Sequence, residues 1–344
     1  MDQLAAIVSA ASDFVWNSVL LYVLVFTGIL FTVRLGFIQI RKFGAGWREM
    51  FGGFSLSGKK ADQDGMSSFQ AAATSVAAQV GTGNVVGCAT AILLGGPGAV
   101  FWVWVAAFLG MSTIYAEAVL AQKYKTRGPD GQVIGGPVYY IRARFQGGFG
   151  KFLAGFFAVA IILALGLMGN MVQSNSISSS FETAFGVPKP VVGVIVAVLA
   201  GFIFMGGVKR IASVTEKLVP IMAICYLVGS LIVIGAHITA VPEVFRQIFV
   251  GAFDPQAVLG GGVGVGMMTA MRYGVARGLF SNEAGLGSTP HAHAMAKVKD
   301  PRDQGHIAIV CVFIDTFIVL TLTALVILTS GVVTPNMIGD DSTA

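Results

Sequence analysis

Between Ser67 and Gly95 the chain reads SSFQAAATSVAAQVGTGNVVGCATAILLG. A bilayer crossing takes roughly 20 apolar residues, so this stretch is long enough to span one. Its centre, Gln79-Val80-Gly81-Thr82-Gly83-Asn84, is a poor helix core: two glycines, a β-branched threonine and two amides. Unwinding frees N–H and C=O groups, and each is expensive when it faces lipid. Such a break survives only where protein, water or a ligand satisfies those groups. The stretch therefore predicts a discontinuous helix at mid-membrane whose loose backbone binds a transported solute. A continuous helix with a small-residue packing face fits the same composition.

The rest of the chain makes the membrane reading firm. Hydrophobic residues are 55% and charged residues 11% of the 344, against about 25% charged in a soluble domain. Eight apolar spans are predicted: 16–38, 67–95, 98–123, 149–180, 190–208, 214–237, 258–282 and 304–330. Lys and Arg concentrate in alternate connections. Six lie in the region of the first connection (Arg34, Arg41, Lys42, Arg48, Lys59, Lys60) and six in that of the third (Lys123, Lys125, Arg127, Arg142, Arg144, Lys151). Three lie in the region of the fifth (Lys209, Arg210, Lys217) and three in that of the seventh (Lys297, Lys299, Arg302). The opposite side has only Lys189 and Arg246. The positive-inside rule then puts the N-terminus outside and the basic loops in the cytoplasm. No basic stripe with interleaved aromatics appears, which excludes a nucleic-acid partner. Cys88, Cys225 and Cys311 all fall in apolar runs and are expected to be buried thiols, with neither disulfide nor metal site.

Two further spans are unusual. The fourth turns polar at Asn170, Gln173 and Ser174, which share a helical face. That face either lines an aqueous path or simply emerges into water. The seventh opens with GGGVGVG and holds Arg272, which makes it a second candidate for a broken span, with glycine-mediated packing as the plainer explanation. Three ionisable side chains sit at membrane depth: Glu117, Arg272 and Asp315. Such groups mark a partner, a pathway or an ion site. Glu117 is expected to form a structural ion pair with Arg272 or Arg277. Asp315 is a cation ligand, a proton acceptor or a carboxyl bonded to nearby backbone. His291 and His293 are two apart, not at the i, i+4 spacing of a helical zinc pair, and read as solvated loop residues. No nucleophile–base arrangement or phosphate loop is present, so an enzyme is disfavoured, as is a channel, which would need a repeated filter or charged ring.

GTGNVVG followed by GGPGAVFWVW, and later RGLFSNEAGLGSTPHAHAMAK and FIDT, resembles the alanine/glycine:cation symporter family, the sodium:alanine symporters, over essentially the whole chain. The resemblance implies an all-α polytopic membrane protein with a leucine-transporter-type fold of two inverted five-helix repeats. One extra helix (16–38) would come first, 67–237 would form the first repeat, and 258–330 would begin a second repeat that is incomplete in this chain. It implies Na+-coupled symport of alanine or glycine across the inner membrane, with Na+ as coupling ion and no organic cofactor; a monomer is the working expectation. The N–H groups of Thr82 and Gly83 would hold the substrate carboxylate, with Gln79, Asn170 and Gln173 reaching the amino acid. A second break near Thr269–Tyr273, including Met271, would close the pocket. Carbonyls around Ala77, Gln79 and Val80, the Asn84 amide, and Asp315 or Thr269 would ligate Na+. The alternative expectation is a truncated, non-transporting chain with a structural or regulatory role.

Overall fold

The computed structural model describes residues 2–52, 65–259, 266–334 and 337–339. It is built almost wholly of helices, as a lipid-immersed chain must be, because helices satisfy their own backbone. The N-terminal helix α1 (Asp2–Phe14) passes through a π-wound stretch, Val15–Leu20, into α2 (Leu21–Arg34). A short amphipathic helix α3 (Phe43–Phe51) follows. The stretch 67–95 forms two helices, α4 (Ser68–Gln79) and α5 (Gly83–Gly95), bent by 48°. Then come α6 (Ala99–Lys123), a small ribbon of β1 (Thr126–Arg127) on β2 (Val133–Ile134), α7 (Pro137–Arg144), and the very long α8 (Gly147–Phe185). Next are α9 (Lys189–Met205), α10 (Gly207–Ala236) and α11 (Val241–Gly251). The chain ends with α12 (Met267–Asn282), α13 (Pro290–Ala294) and α14 (Pro301–Thr329).

Among the described residues, four helices are long and apolar enough to cross a membrane, or five if the bent pair is one span. The shorter apolar helices α2 and α9 occupy two more of the predicted spans. The predicted span 258–282 is represented by α12, and the glycine run 260–265 lies outside the described residues. Helix α11 was not anticipated from the sequence. It packs so closely on the turn into α6 that a Cβ at Gly98 would meet the Gly251 carbonyl at 2.1 Å. Trp102 Nε1 donates to the Ala252 carbonyl at 3.0 Å.

Helix α6 is the central post. Its Ala107, Met111, Ile114 and Ala118 pack against Ala308, Ile309 and Val312 of α14 in one buried core. Gly274 and Gly278 let α12 lie against the same helix, with Gly274 beside the Ala99 carbonyl and Gly278 beside Val103. The first long helix is docked by Gly28, which sits on Leu109, and by a polar chain in which Gln39 Nε2 donates to Thr32 Oγ1, itself 3.0 Å from Ser112 Oγ. Helices α8, α9 and α10 instead expose Phe152, Phe156, Ile195, Leu199, Ile221 and Leu231. Such apolar exposure suits lipid, which is as apolar as these side chains. Cys88 and Cys311 are buried free thiols, whereas Cys225 is exposed on α10, contrary to the burial expected for all three.

His293 departs from its expected place in a solvated loop. It is fully buried, with Nδ1 3.0 Å from Gln304 Oε1, while His291 is exposed. The cause is tertiary: the Gln122 amide caps the end of α13, donating to the carbonyls of His293, Ala294 and Ala296. Burial pulls the His293 imidazole down from 6.5 to about 4, because the charged form is desolvated. A depressed folded value means that the unfolded chain binds the extra proton first. Stability from this group is complete above about pH 6.5 and is lost as pH falls from there to about 4, by about 3 kcal/mol in total. Melting of the detergent-solubilised chain should show that acid slope, and His293→Gln should flatten it. An unchanged slope in the variant would assign the acid sensitivity elsewhere.

Candidate functional site

The break in the first pair begins at a well-defined helix. Ser67 Oγ accepts the Gln70 N–H at 3.1 Å while Gln70 Oε1 accepts the Ser67 N–H at 3.0 Å, a reciprocal cap on α4. Twelve residues later Val80 turns extended (φ −80°, ψ 99°). The N–H of Gly81, which would continue the helix onto Ala77, donates instead to Asn84 Oδ1 at 2.9 Å. The N–H of Thr82 donates to Gln173 Oε1 of α8 at 3.2 Å. The carbonyls of Ala77 and Ala78 thus lose their ordinary helical donors. The chain resumes as a π-wound stretch, Gly83–Gly87, before regular helix from Cys88. The expectation of an interrupted helix at 79–84 matches the backbone.

The second break lies elsewhere than predicted. Thr269, Met271, Arg272 and Tyr273 are in regular helix within α12. The helix ends at Asn282, and Glu283 adopts a left-handed conformation (φ 56°), followed by Gly285 (φ 91°) and Gly287 (φ 84°). The Asn282 side chain accepts the Ala284 N–H at 3.0 Å, and Ser288 Oγ donates to the Glu283 carboxylate. The two breaks touch. Gln79 Nε2 donates to the Asn282 carbonyl at 2.9 Å, and a Cβ on Gly83 would sit 3.2 Å from Ser281 Cα.

A third element joins them. Asp315 is fully buried on another π-wound stretch, Phe313–Leu320 of α14. Its Oδ1 accepts from Asn84 Nδ2 at 2.7 Å, and its Oδ2 from Thr316 Oγ1 at 2.8 Å. Ser281 Oγ lies 3.1–3.2 Å from both oxygens. Buried oxygens without a hydrogen-bond partner among the described residues include Ser75 Oγ and Gln79 Oε1 on α4 and Thr82 Oγ1 at the break. A set made of carboxylate, amide, hydroxyl and freed carbonyl oxygens, with no thiolate or imidazole, has the chemistry of a hard-cation site. Beside it a cavity of about 400 Å³ is lined by Gly81, Thr82, Asn84, Gln173, Ser176 and Tyr226, among others.

The structure therefore brings Gln79, Val80, Thr82, Gly83, Asn84, Gln173 and Asp315 together, with Ala77 one turn back on α4. It separates the rest. Asn170 is exposed, and its Nδ2 donates to the Gly166 carbonyl of its own helix. Met271 faces Leu21 and Trp102 in an apolar cavity, and Thr269 lies with Leu21, Tyr22 and Arg272. Tyr273 packs by Gly95, with the Arg272 guanidinium 5.4 Å from its ring. The predicted Glu117–Arg272 pair does not form. Gly274, two residues from Arg272, abuts Ala99, and Glu117 lies 18 residues along α6, about 27 Å at 1.5 Å per residue. Glu117 instead accepts the Gly285 N–H at 3.1 Å, beyond the second break. Ser281 and Asn282 were missed. The signal was present in SNEAGLG, an amide and then two spaced glycines, the composition of a helix C-terminus.

A model of the sodium:alanine symporter family matches residues 1–343. The chain belongs to that family. Among relatives, it is 45% identical over 328 residues to an uncharacterized transporter of Haemophilus influenzae, covering 95% of this chain and 70% of the relative. It is 45% identical to the amino-acid carrier protein AlsT of Bacillus subtilis (94% and 66%) and 41% identical to the sodium/alanine symporter AgcS of Methanococcus maripaludis (95% and 71%). The chain thus spans about two thirds of the length of these relatives. As a member of the family it is a multi-pass membrane protein of a transporter lineage.

Proposed function

We propose that this chain carries the binding core of a Na+-coupled symporter of small neutral amino acids, alanine or glycine. One observation carries the reading: two interrupted helices meet through Gln79 and Asn282 beside a buried carboxylate bonded to Asn84 and Ser281. Discontinuous helices in corresponding places are where sodium-coupled transporters bind ion and solute. Na+ sits among Asp315, the Asn84 amide, Ser281 and the freed carbonyls of Ala77 to Val80. The amino-acid carboxylate takes the N–H groups of Thr82 and Gly83, displacing the Gln173 carbonyl oxygen, which then turns to the ammonium group. The two pockets share Asn84, so each ligand orders the backbone that the other needs, and the coupling is mutual. The two breaks are the equivalent points of two inverted repeats, and the basic loops face the cytoplasm. The relative from Methanococcus maripaludis is described as a sodium/alanine symporter, which agrees with this choice of ion and solute.

Labelled alanine uptake into proteoliposomes tests the reading. Uptake should require an inward Na+ gradient, and equal uptake without Na+ would sink the coupling. Gly81→Ala gives a finer check. A Cβ there would lie 2.9 Å from Gln173 Nε2 and push the amide out of the pocket, breaking the hydrogen bond that the ammonium group would make to it. Losing one such hydrogen bond, about 1.4 kcal/mol, should raise the half-saturating alanine concentration about tenfold. Unchanged affinity in Gly81→Ala would remove Gln173 from the substrate pocket.

A further inference from the structure

A second cluster lies well away from the breaks. Glu49 of α3 faces Asp303 and His306 at the start of α14, and one ligand atom from each lies within 4.8 Å of the others. His306 Nδ1 is 3.2 Å from Glu49 Oε2 and 3.3 Å from Oε1. Asp303 and His306 are three apart on a helix, so they project from one face.

The cluster is held in place. A Cβ at Gly46 would be 2.2 Å from the His306 carbonyl oxygen, so α3 lies directly on the α14 backbone at this point. Phe43 packs edge-on against Phe313 at 4.8 Å, which fixes the other side of the same crossing. Tyr115 of α6 lies 5.6 Å from the His306 ring, tilted by 31°, and backs the imidazole so that it points to the carboxylates. His306 itself is buried, 9% exposed. The nearby cation Arg302 is taken by Asp300, at 2.5 Å. Two carboxylates therefore converge on one imidazole.

We propose that Glu49, Asp303 and His306 form a divalent transition-metal site of the zinc class. One imidazole and two carboxylates suit Zn2+ and its neighbours, with water in the open position. The metal ties α3, and through it the N-terminal helices, to α14. His306 is nine residues before Asp315, about 14 Å along the helix, so this site is separate from the proposed coupling-ion site.

The test uses Co2+ and Zn2+ on the purified whole chain in detergent, and it does not depend on transport. One Co2+ per chain should give visible ligand-field bands that Zn2+ abolishes and excess Mg2+ does not. Mutating the partners of metal ligands costs roughly 10–100-fold in affinity, and loss of a ligand itself should cost at least as much. His306→Gln and Glu49→Gln should therefore weaken binding by a hundredfold or so. Glu49 is partly exposed on a peripheral helix, so Glu49→Gln remains informative if His306→Gln does not fold. His291→Gln, on an exposed ring, should bind as the unaltered chain does. Absent bands, equal affinity in a folded Glu49→Gln chain, or loss of binding in His291→Gln would each overturn the proposal and leave only a His306–Glu49 ion pair.

Discussion

Asp315→Ala is expected to abolish Na+-dependent alanine uptake and to destabilise the chain by about 2–4 kcal/mol. Asn84, Ser281 and Thr316 all donate to this carboxylate, and it is fully buried. A buried donor left without its acceptor costs about 1–3 kcal/mol. The total is less than three times that, because the Asn84 amide keeps the Asp315 main-chain oxygen, which alanine retains, at 3.1 Å. Asp315→Asn separates shape from charge. It fills the same space but turns one oxygen into an NH2 that faces hydrogen-bond donors, and it removes the negative charge that a cation needs. Uptake at fixed Na+ should fall at least about a hundredfold, the equivalent of about 2.7 kcal/mol. Thermal melting followed with and without NaCl provides the companion readout. The unaltered chain should gain stability with Na+ and the asparagine variant should not. An asparagine variant that transports with the same Na+ dependence would remove Asp315 from the ion site.

The second large effect is purely steric. At Gly274 a Cβ would lie 2.3 Å from the Ala99 carbonyl oxygen and 2.7 Å from Trp102 Cβ. Both are on α6, and the first is backbone, so neither can swing aside. Gly274→Val must therefore push α12 off the central post. Overpacking of a fitted core costs about 1–3 kcal/mol, and here the displacement also disturbs Ser281 at the far end of the same helix. Lower melting temperature and reduced yield of monodisperse protein are expected. Gly229→Val on α10 is the matched control, because nothing lies within 4 Å of its added Cβ. If both variants melt alike, the close approach of α12 to α6 is wrong.

The sequence showed some of this site and hid the rest for definite reasons. The interruption at 79–84 was readable because glycine, threonine and asparagine make a poor helix centre, a local property. Asp315 was readable because a carboxylate in an apolar run is conspicuous. Its meeting with Asn84 was not readable from residue types alone, since 231 positions separate them. It entered with the family resemblance. The second break was placed too early because its position came from the family resemblance and not from these residues. The chain in fact breaks ten to fourteen residues later than Thr269–Tyr273, at a helix C-terminus marked by Glu283 in the left-handed region. The Glu117–Arg272 pairing failed because residue types carry no information on how two packed helices are staggered. Which residue of α12 lies beside which residue of α6 depends on Gly274 and Gly278, and that register is a tertiary fact. His293 was misread for the same kind of reason: two histidines in a polar stretch look wet until Gln122 arrives from another helix.

Asn84 and Asp315 stand on opposed π-wound stretches, Gly83–Gly87 and Phe313–Leu320. Such a coil stores one surplus residue within an otherwise ordinary rod. Handing that residue on to the next turn leaves the rod intact yet swivels the side chains it passes by roughly 100°. An aspartate and an amide mounted this way can part company by rotation, so the proposed grip on Na+ can be undone without melting either helix.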